Sequence, residues 1–314
     1  MICHNRFLYL FKNYPMSKQE AIARHRLIIQ KLRSKPSTFE EILEKLRMES
    51  DLHDLNFEIS KRTFQRDIKE IEELYNIEIK NDRSKKVYYI SSDSQDEFSE
   101  RLFEVIDVFQ LLNYKQSISR FVQFSTRKPM GTEYLSGLLY AIQNRFQIVL
   151  RYKKFDHDET ESRLVEPYLL KEFKNRWYLR AYDVEKREFR TYGIDRIQAM
   201  RISDKKFQFP NKINPKEHYK DCFGIVGSDG APPQEILLKF TNNQGQYIRT
   251  LPLHSSQQIL EENGDEMLVR LKIVPTYDFL FELMSMGENL KVLKPQSLAD
   301  EMKQKLREAL DNYS

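Results

Sequence analysis

The apolar residues of this 314-residue chain change period along its length, and that change constrains the fold more than any other feature. As far as about residue 145 they recur at helical spacing. From Gln147 they alternate every second residue, and beyond residue 235 the two patterns interleave. A helical pattern does not settle as a strand, nor the reverse, so neither an all-α nor an all-β fold accommodates the whole chain. The spacing predicts an α+β multidomain protein, and the length suits two or three domains of about 100–200 residues. Nine glycines and eleven prolines exclude a collagen-like or low-complexity chain. No apolar run approaches the roughly 18–20 residues of a membrane helix, so no membrane is expected as a partner. The only cysteines, Cys3 and Cys222, are too few for a disulfide framework. That suits a reducing, cytoplasmic setting.

Residues 1–16 read as a tail. They hold a short apolar stretch at 7–11 with no small-residue cleavage site after it, so no signal peptide is expected. Met16, directly before a helix start, is a second candidate start of translation.

Residues 17–92 then present three helices and a hairpin. The first helix carries Ile22, Leu27, Ile28 and Leu32 and stops at Lys35-Pro36. The second follows a capping box formed by Ser37 and Thr38 with Glu40 and Glu41. A polar stretch, 47–58, is long for the turn that should follow. The third helix starts at the N-cap Ser60 and ends near Tyr75. Strands at 77–80 and 86–90 with a turn between complete a winged helix-turn-helix.

Residues 93–145 read as a helical linker, with helices at 98–112 and 132–144. These are a candidate dimer surface, with packing inside the chain the equal alternative. Five short strands over 146–210 suggest a small antiparallel barrel. A linker at 211–234 leads to residues 235–314, whose βαββαβ order is ferredoxin-like with one helix appended.

Catalytic chemistry is poorly represented. The histidines at 4, 25, 53, 157, 218 and 254 are scattered, and none pairs with another at metal-ligand spacing. There is no GxSxG, Walker or GxGxxG motif, and Phe223-Gly224-Ile225-Val226-Gly227 reads as a loop joining domains. The expectation is a protein that is not an enzyme, with no cofactor and no metal.

The third helix is more informative. Phe64, Ile68, Ile71 and Tyr75 share one side, while Arg62, Gln65, Arg66 and Lys69 share the other. Arginine forks onto guanine, glutamine onto adenine, and lysine reaches phosphate. Ser60, Lys61 and Thr63 at the helix start suit phosphate. Alone, this face could equally be solvated and salt-bridged through Arg66–Glu70 and Lys69–Glu73. The basic turn of the hairpin, Arg83, Lys85 and Lys86, shifts the reading toward double-stranded operator DNA.

At 60–68 the sequence SKRTFQRDI resembles the recognition helix of DeoR-like winged-helix regulators whose sensor is a WYL domain. The resemblance continues at Trp177-Tyr178-Leu179, with Tyr152 and Val165-Glu166-Pro167-Tyr168 before it and the segment 190–197, RTYGIDRI, after it. LPLHSSQQ at 251–258, Pro275-Thr276-Tyr277 and Gly287-Glu288 are similar to the C-terminal extension of these proteins. The match spans about 22–312; the departures are the 47–58 insert and Gly193. It implies a transcription regulator whose SH3/Sm-like WYL barrel senses a nucleic-acid or nucleotide ligand.

On the strand around WYL, Tyr178, Arg180 and Tyr182 face away from Trp177, Leu179 and Ala181; on the next, Arg190 and Tyr192 share a face. Rings beside guanidinium groups stack bases and fork phosphates. The candidate ligand residues are therefore Tyr152, Tyr178, Arg180, Arg190, Tyr192 and Arg196, while Trp177 and Leu179 read as plain core. Residues 145–206 hold sixteen Lys or Arg against eleven Asp or Glu, a local +5, and residues 212–314 twelve against fifteen, a local −3. An anionic ligand in the middle of the chain follows from that distribution. A homodimer is expected, because two copies on neighbouring half-sites raise operator affinity. The alternative from another class is an RNA- or single-strand-binding accessory protein, for instance in defence against foreign DNA, acting through the barrel.

Overall fold

The computed structural model describes residues 16–53, 56–93, 97–112, 131–155, 159–208, 217–228 and 230–313, with Gln123 and Asn214. The tail at 1–15 with Cys3, and most of the expected turn at 156–159, lie outside the described residues. The chain divides into two compact units, residues 1–126 and 127–314.

The first unit comprises α1 (Met16–Ser34), α2 (Phe39–His53), α3 (Lys61–Tyr75), the hairpin β1 (Ile77–Asp82) and β2 (Val87–Asp93), and α4 (Glu97–Leu112). Thr38 and Glu41 form the expected reciprocal cap of α2: the Glu41 amide donates to Thr38 Oγ1 (3.1 Å), and the Thr38 amide to Glu41 Oε2 (2.8 Å). Lys35 and that same amide hold the Glu41 carboxyl below its usual range. Thr38→Ala should lower the unit's stability by about 1 kcal/mol, read as a shift of the urea midpoint.

The polar stretch at 47–58 is not a long turn. Its first half continues α2 to His53, and Arg47 closes onto Glu58 (2.6 Å). The Phe57 amide returns to Ser50 Oγ (2.9 Å), and the Phe57 ring is buried. Arg47 and Met48 are exposed on the helical part of the stretch.

Phe57 joins Ile28, Ile29, Ile42, Leu46, Phe64, Ile71 and Ile77 in the core, together with Phe103 and Ile106 of α4. Arg26 also grips Asp107 of α4 through a fork of 2.9 and 2.8 Å. Packing inside this unit, the equal alternative for the 98–112 helix, is thus what these contacts provide; Val105 and Val108 stay exposed.

In the second unit, α5 (Leu135–Asn144) precedes β3 (Phe146–Lys153), β4 (Thr160–Phe173), β5 (Arg176–Asp183), β6 (Glu188–Gly193) and β7 (Ile197–Lys206). The strands form one antiparallel sheet in the order β6-β5-β4-β3-β7. A 3-10 turn, Ile194–Arg196, joins β6 to β7, and no ladder pairs these two end strands among the described residues. Leu138 and Ala141 of α5 are buried with Ile148, Leu150, Leu179 and Ala181, so this helix packs against the sheet's core.

The chain then runs through β8 (Gln234–Thr241), α6 (Asn242–Thr250), β9 (Gln258–Glu262), β10 (Glu266–Ile273), α7 (Tyr277–Met284), β11 (Leu290–Lys294) and α8 (Gln296–Asp311). The sheet order β11-β8-β10-β9 is the one a βαββαβ chain adopts when its first and third strands are central. Alternate residues of β8 and β10, from Ile236 to Phe240 and from Met267 to Ile273, enter its core. None of the described helices is long and apolar enough to cross a membrane.

Candidate functional site

Helix α3 is built as an anchor with one free face. Ser60 caps it by accepting from the Thr63 amide (3.2 Å), and Asn76 ends it in the left-handed region at φ 53°. Phe64, Ile71 and Tyr75 are buried, while Lys61, Arg62, Gln65, Arg66 and Lys69 are exposed. Of the two ion pairs expected along the free face, Arg66–Glu70 forms at 3.5 Å. Lys69 reaches no carboxylate among the described residues. Gln65 donates to the hydroxyl of Tyr88 in β2 (3.1 Å), so one of its amide hydrogens already fixes the hairpin against α3. The Ser60 and Thr63 hydroxyls bond each other (3.0 Å). Arg83, Lys85 and Lys86 are exposed in the turn between β1 and β2.

Asp67, buried on the same helix, was not singled out by the sequence reading. It accepts a fork from Arg24 of α1, Nε to Oδ2 at 2.6 Å and Nη2 to Oδ1 at 2.9 Å. Burial alone would raise its pKa; the neighbouring His25 and Arg24 outweigh burial and hold it below the usual carboxylate range. The ion pair fixes the rotation of α3, and hence which side chains it exposes.

In the second unit a cavity of about 510 Å³ opens at the β6 edge. Five of the six residues expected to bind a ligand line it: Tyr152, Arg180, Arg190, Tyr192 and Arg196; Tyr178 does not. The β5–β6 register explains the arrangement. Arg180 lies opposite Thr191 and Ala181 opposite Arg190, so Arg180 and Arg190 project from opposite faces of the ladder. Both reach one cavity because β6 is an edge strand and the cavity passes around it.

The two tyrosines are walls and not open stacking surfaces. Tyr152 and Tyr192 are buried, edge to face at 5.1 Å. The Tyr192 hydroxyl donates to Asp183 (2.8 Å), and burial followed by this bond pushes its pKa up. Tyr152 accepts from the Gly193 amide (3.2 Å), and burial raises its pKa also. The exposed ring is Phe155, and the Arg196 guanidinium sits 4.7 Å from it and 5.0 Å from Tyr152. Gly193, a departure from the family pattern, is a matter of room: a Cβ there would stand 2.9 Å from Arg196 Nη2 and 2.7 Å from Asp195 Oδ1.

Lys154 and Arg163 add to the cationic lining and His218 adds an imidazole; no carboxylate lines it among the described residues. Lys154 and Arg163 share Glu161, whose pKa they push down to about 2, and Arg190 is held by Glu188. Arg196 and Arg180 have no carboxylate within ion-pair distance among the described residues. Arg180 instead stacks on Phe189 at 5.3 Å.

The remaining wall, Ile225, Val226 and Gly227, is tied to the C-terminal sheet domain. Asp278 in the first turn of α7 accepts from the amides of Ile225 (2.7 Å) and Val226 (2.9 Å). Gly224 is required there: its φ is +85°, and a Cβ would stand 2.3 Å from Asp278 Oδ2.

The sequence matches the WYL domain family over residues 133–202 and the WCX domain family over residues 232–310. None of the curated proteins matches it. Among solved structures it is similar to proteasome accessory factor B/C (PafBC) of Arthrobacter aurescens, at 18% identity and a TM-score of 0.39. The likeness covers 93% of this chain and 47% of that one, so this chain spans about half its length. A CRISPR Cas-related protein is similar at 15% identity and a TM-score of 0.39, over 84% of this chain and 76% of that one.

Proposed function

We propose that this chain, which carries a WYL domain followed by a WCX domain, is a non-enzymatic, DNA-binding transcription regulator that acts as a homodimer. The observation that carries the reading is α3. It buries one apolar face, fixes its rotation with Asp67, and leaves Lys61, Arg62, Arg66 and Lys69 exposed beside a basic hairpin turn. Arg62 and Arg66 read bases in the major groove, and Gln65 contributes through its free carbonyl oxygen. Lys61, Lys69, Arg83, Lys85, Lys86 and the helix start at Ser60 and Thr63 contact phosphates.

The cavity at the β6 edge takes an anionic nucleic-acid or nucleotide ligand. Support comes from a cationic lining that includes no carboxylate among the described residues, with one exposed ring, Phe155. The sheet around it is the SH3/Sm-like barrel of a WYL sensor, and the Asp278-bound wall hands ligand binding on to the WCX domain.

Selection of bound duplexes from a random pool tests the DNA reading. An enriched motif is expected, with half-sites about one helical turn apart for a dimer; no enrichment refutes it. Arg62→Ala and Arg66→Ala should each lose about 1–3 kcal/mol for the selected site and relax one base position. Lys85→Ala and Lys86→Ala should weaken all duplexes alike and flatten the salt dependence.

A further inference from the structure

Between α3 and α1 three side chains converge. His25 of α1 is buried to 1% exposure, and neither ring nitrogen has a hydrogen-bond partner among the described residues. Its Nε2 points between two carboxylates of α3, lying 3.6 Å from Asp67 Oδ1 and 3.5 Å from Glu70 Oε2. Asp67 and Glu70 are three residues apart and so share a helix face. All three candidate ligand atoms lie within 4.8 Å of one another.

These separations are long for hydrogen bonds. They are close to the edges of a coordination tetrahedron: bonds of about 2.0–2.1 Å to zinc place the ligand atoms about 3.3–3.4 Å apart. We infer that His25, Asp67 and Glu70 form a three-ligand site for a zinc-like divalent cation, with water in the fourth position.

The surrounding charges fit that role. Arg24 takes both Asp67 oxygens, yet a carboxylate has about four lone-pair sites, so Oδ1 keeps one for the cation while the fork holds the ligand in place. Glu70 is the exposed ligand, 39% accessible along its side chain, and gives the ion a way in. The Tyr75 ring packs edge-on to His25 at a centroid distance of 6.1 Å and closes the other side. Glu70 also pairs with Arg66 at 3.5 Å through its other oxygen, Oε1, which leaves Oε2 to the cation. The bound ion would clamp α3 to α1. The ligands come from two helices, with His25 more than forty residues from Asp67 and Glu70 in sequence, which is why spacing along the chain did not show them.

The test is titration of the full chain with Zn²⁺ by calorimetry, with Co²⁺ absorption to report geometry. Wild type should take up an ion whose Co²⁺ form gives a tetrahedral spectrum and which raises the melting temperature. Glu70→Gln changes a partly exposed side chain and keeps its shape, so it should fold normally and bind roughly tenfold or more weakly. His25→Leu should do the same, and His254→Ala, far along the chain, should change nothing. Zn²⁺ uptake that survives both Glu70→Gln and His25→Leu overturns the site, as does an octahedral Co²⁺ spectrum.

Discussion

Asp67→Ala is expected to destabilise the N-terminal unit by about 3–5 kcal/mol, the cost of leaving a buried charge without its partner. Asp67 is fully buried and Arg24 is 6% exposed, so water does not replace the lost carboxylate around the guanidinium. The chain's one tryptophan, Trp177, lies in β5 of the other unit. A urea titration followed by tryptophan fluorescence should therefore hold its midpoint, while far-UV circular dichroism shows an early transition moving to lower urea. Arg24→Met combined with Asp67→Leu should recover much of the loss, since an apolar pair of similar volume avoids the desolvation cost. The pH dependence has a defined sign. The folded-state pKa of Asp67 lies below its ordinary value, so its contribution is present above the ordinary carboxylate range and is lost as pH falls through the lowered value. If Asp67→Ala leaves both transitions in place, the ion pair is not what fixes α3.

Asp67 shows where sequence reading stopped. The apolar side of α3 was legible because Phe64, Ile68, Ile71 and Tyr75 recur at helical spacing, and its start because Ser60 is a capping residue. Asp67 sits only about 40° from Ile71 on the same wheel. An acid inside the apolar sector was a usable signal, but its partner on α1 depends on tertiary packing. The run 47–58 misled for a related reason: a solvent-facing helical turn and a loop have similar composition, and the deciding contact, the Phe57 amide on Ser50 Oγ, is between residues seven apart.

The sheet unit divides in the same way. Alternation located every strand, and basic residues between aromatic ones pointed to the cavity. Which faces those residues occupy depended on the β5–β6 register, and Tyr178 falls outside although it shares a face with Arg180. Arg163, Lys154 and the 225–227 wall come from other strands and a loop, which no pattern within one segment ties together.

Arg196→Ala should be the most damaging single change for ligand binding, ahead of Arg190→Ala. An incoming phosphate meets Arg190 already neutralised by Glu188, and Lys154 and Arg163 already neutralised by Glu161. Arg196 presents its guanidinium between the Tyr152 and Phe155 rings with no described carboxylate to displace. A charge-assisted hydrogen bond is worth about 1.5–3 kcal/mol, so a phosphate-bearing aromatic ligand should bind about 10- to 150-fold more weakly to Arg196→Ala. Gly193→Ala provides the check from the other side of the contact. Its backbone φ of −68° suits alanine, so any effect comes from the new Cβ pressing on Asp195 Oδ1 and on the Arg196 guanidinium, and a smaller loss of the same kind should follow. Calorimetry with short oligonucleotides and cyclic dinucleotides measures all three variants. Operator affinity without ligand should stay unchanged in each, because α3 and the hairpin belong to the other unit. With ligand, the operator titration should shift only in proteins that still bind it, since a ligand that binds both states equally shifts nothing. A larger loss in Arg190→Ala than in Arg196→Ala would mean that the ligand breaks the Glu188 pair on entry, and the unpaired guanidinium would not be the phosphate site.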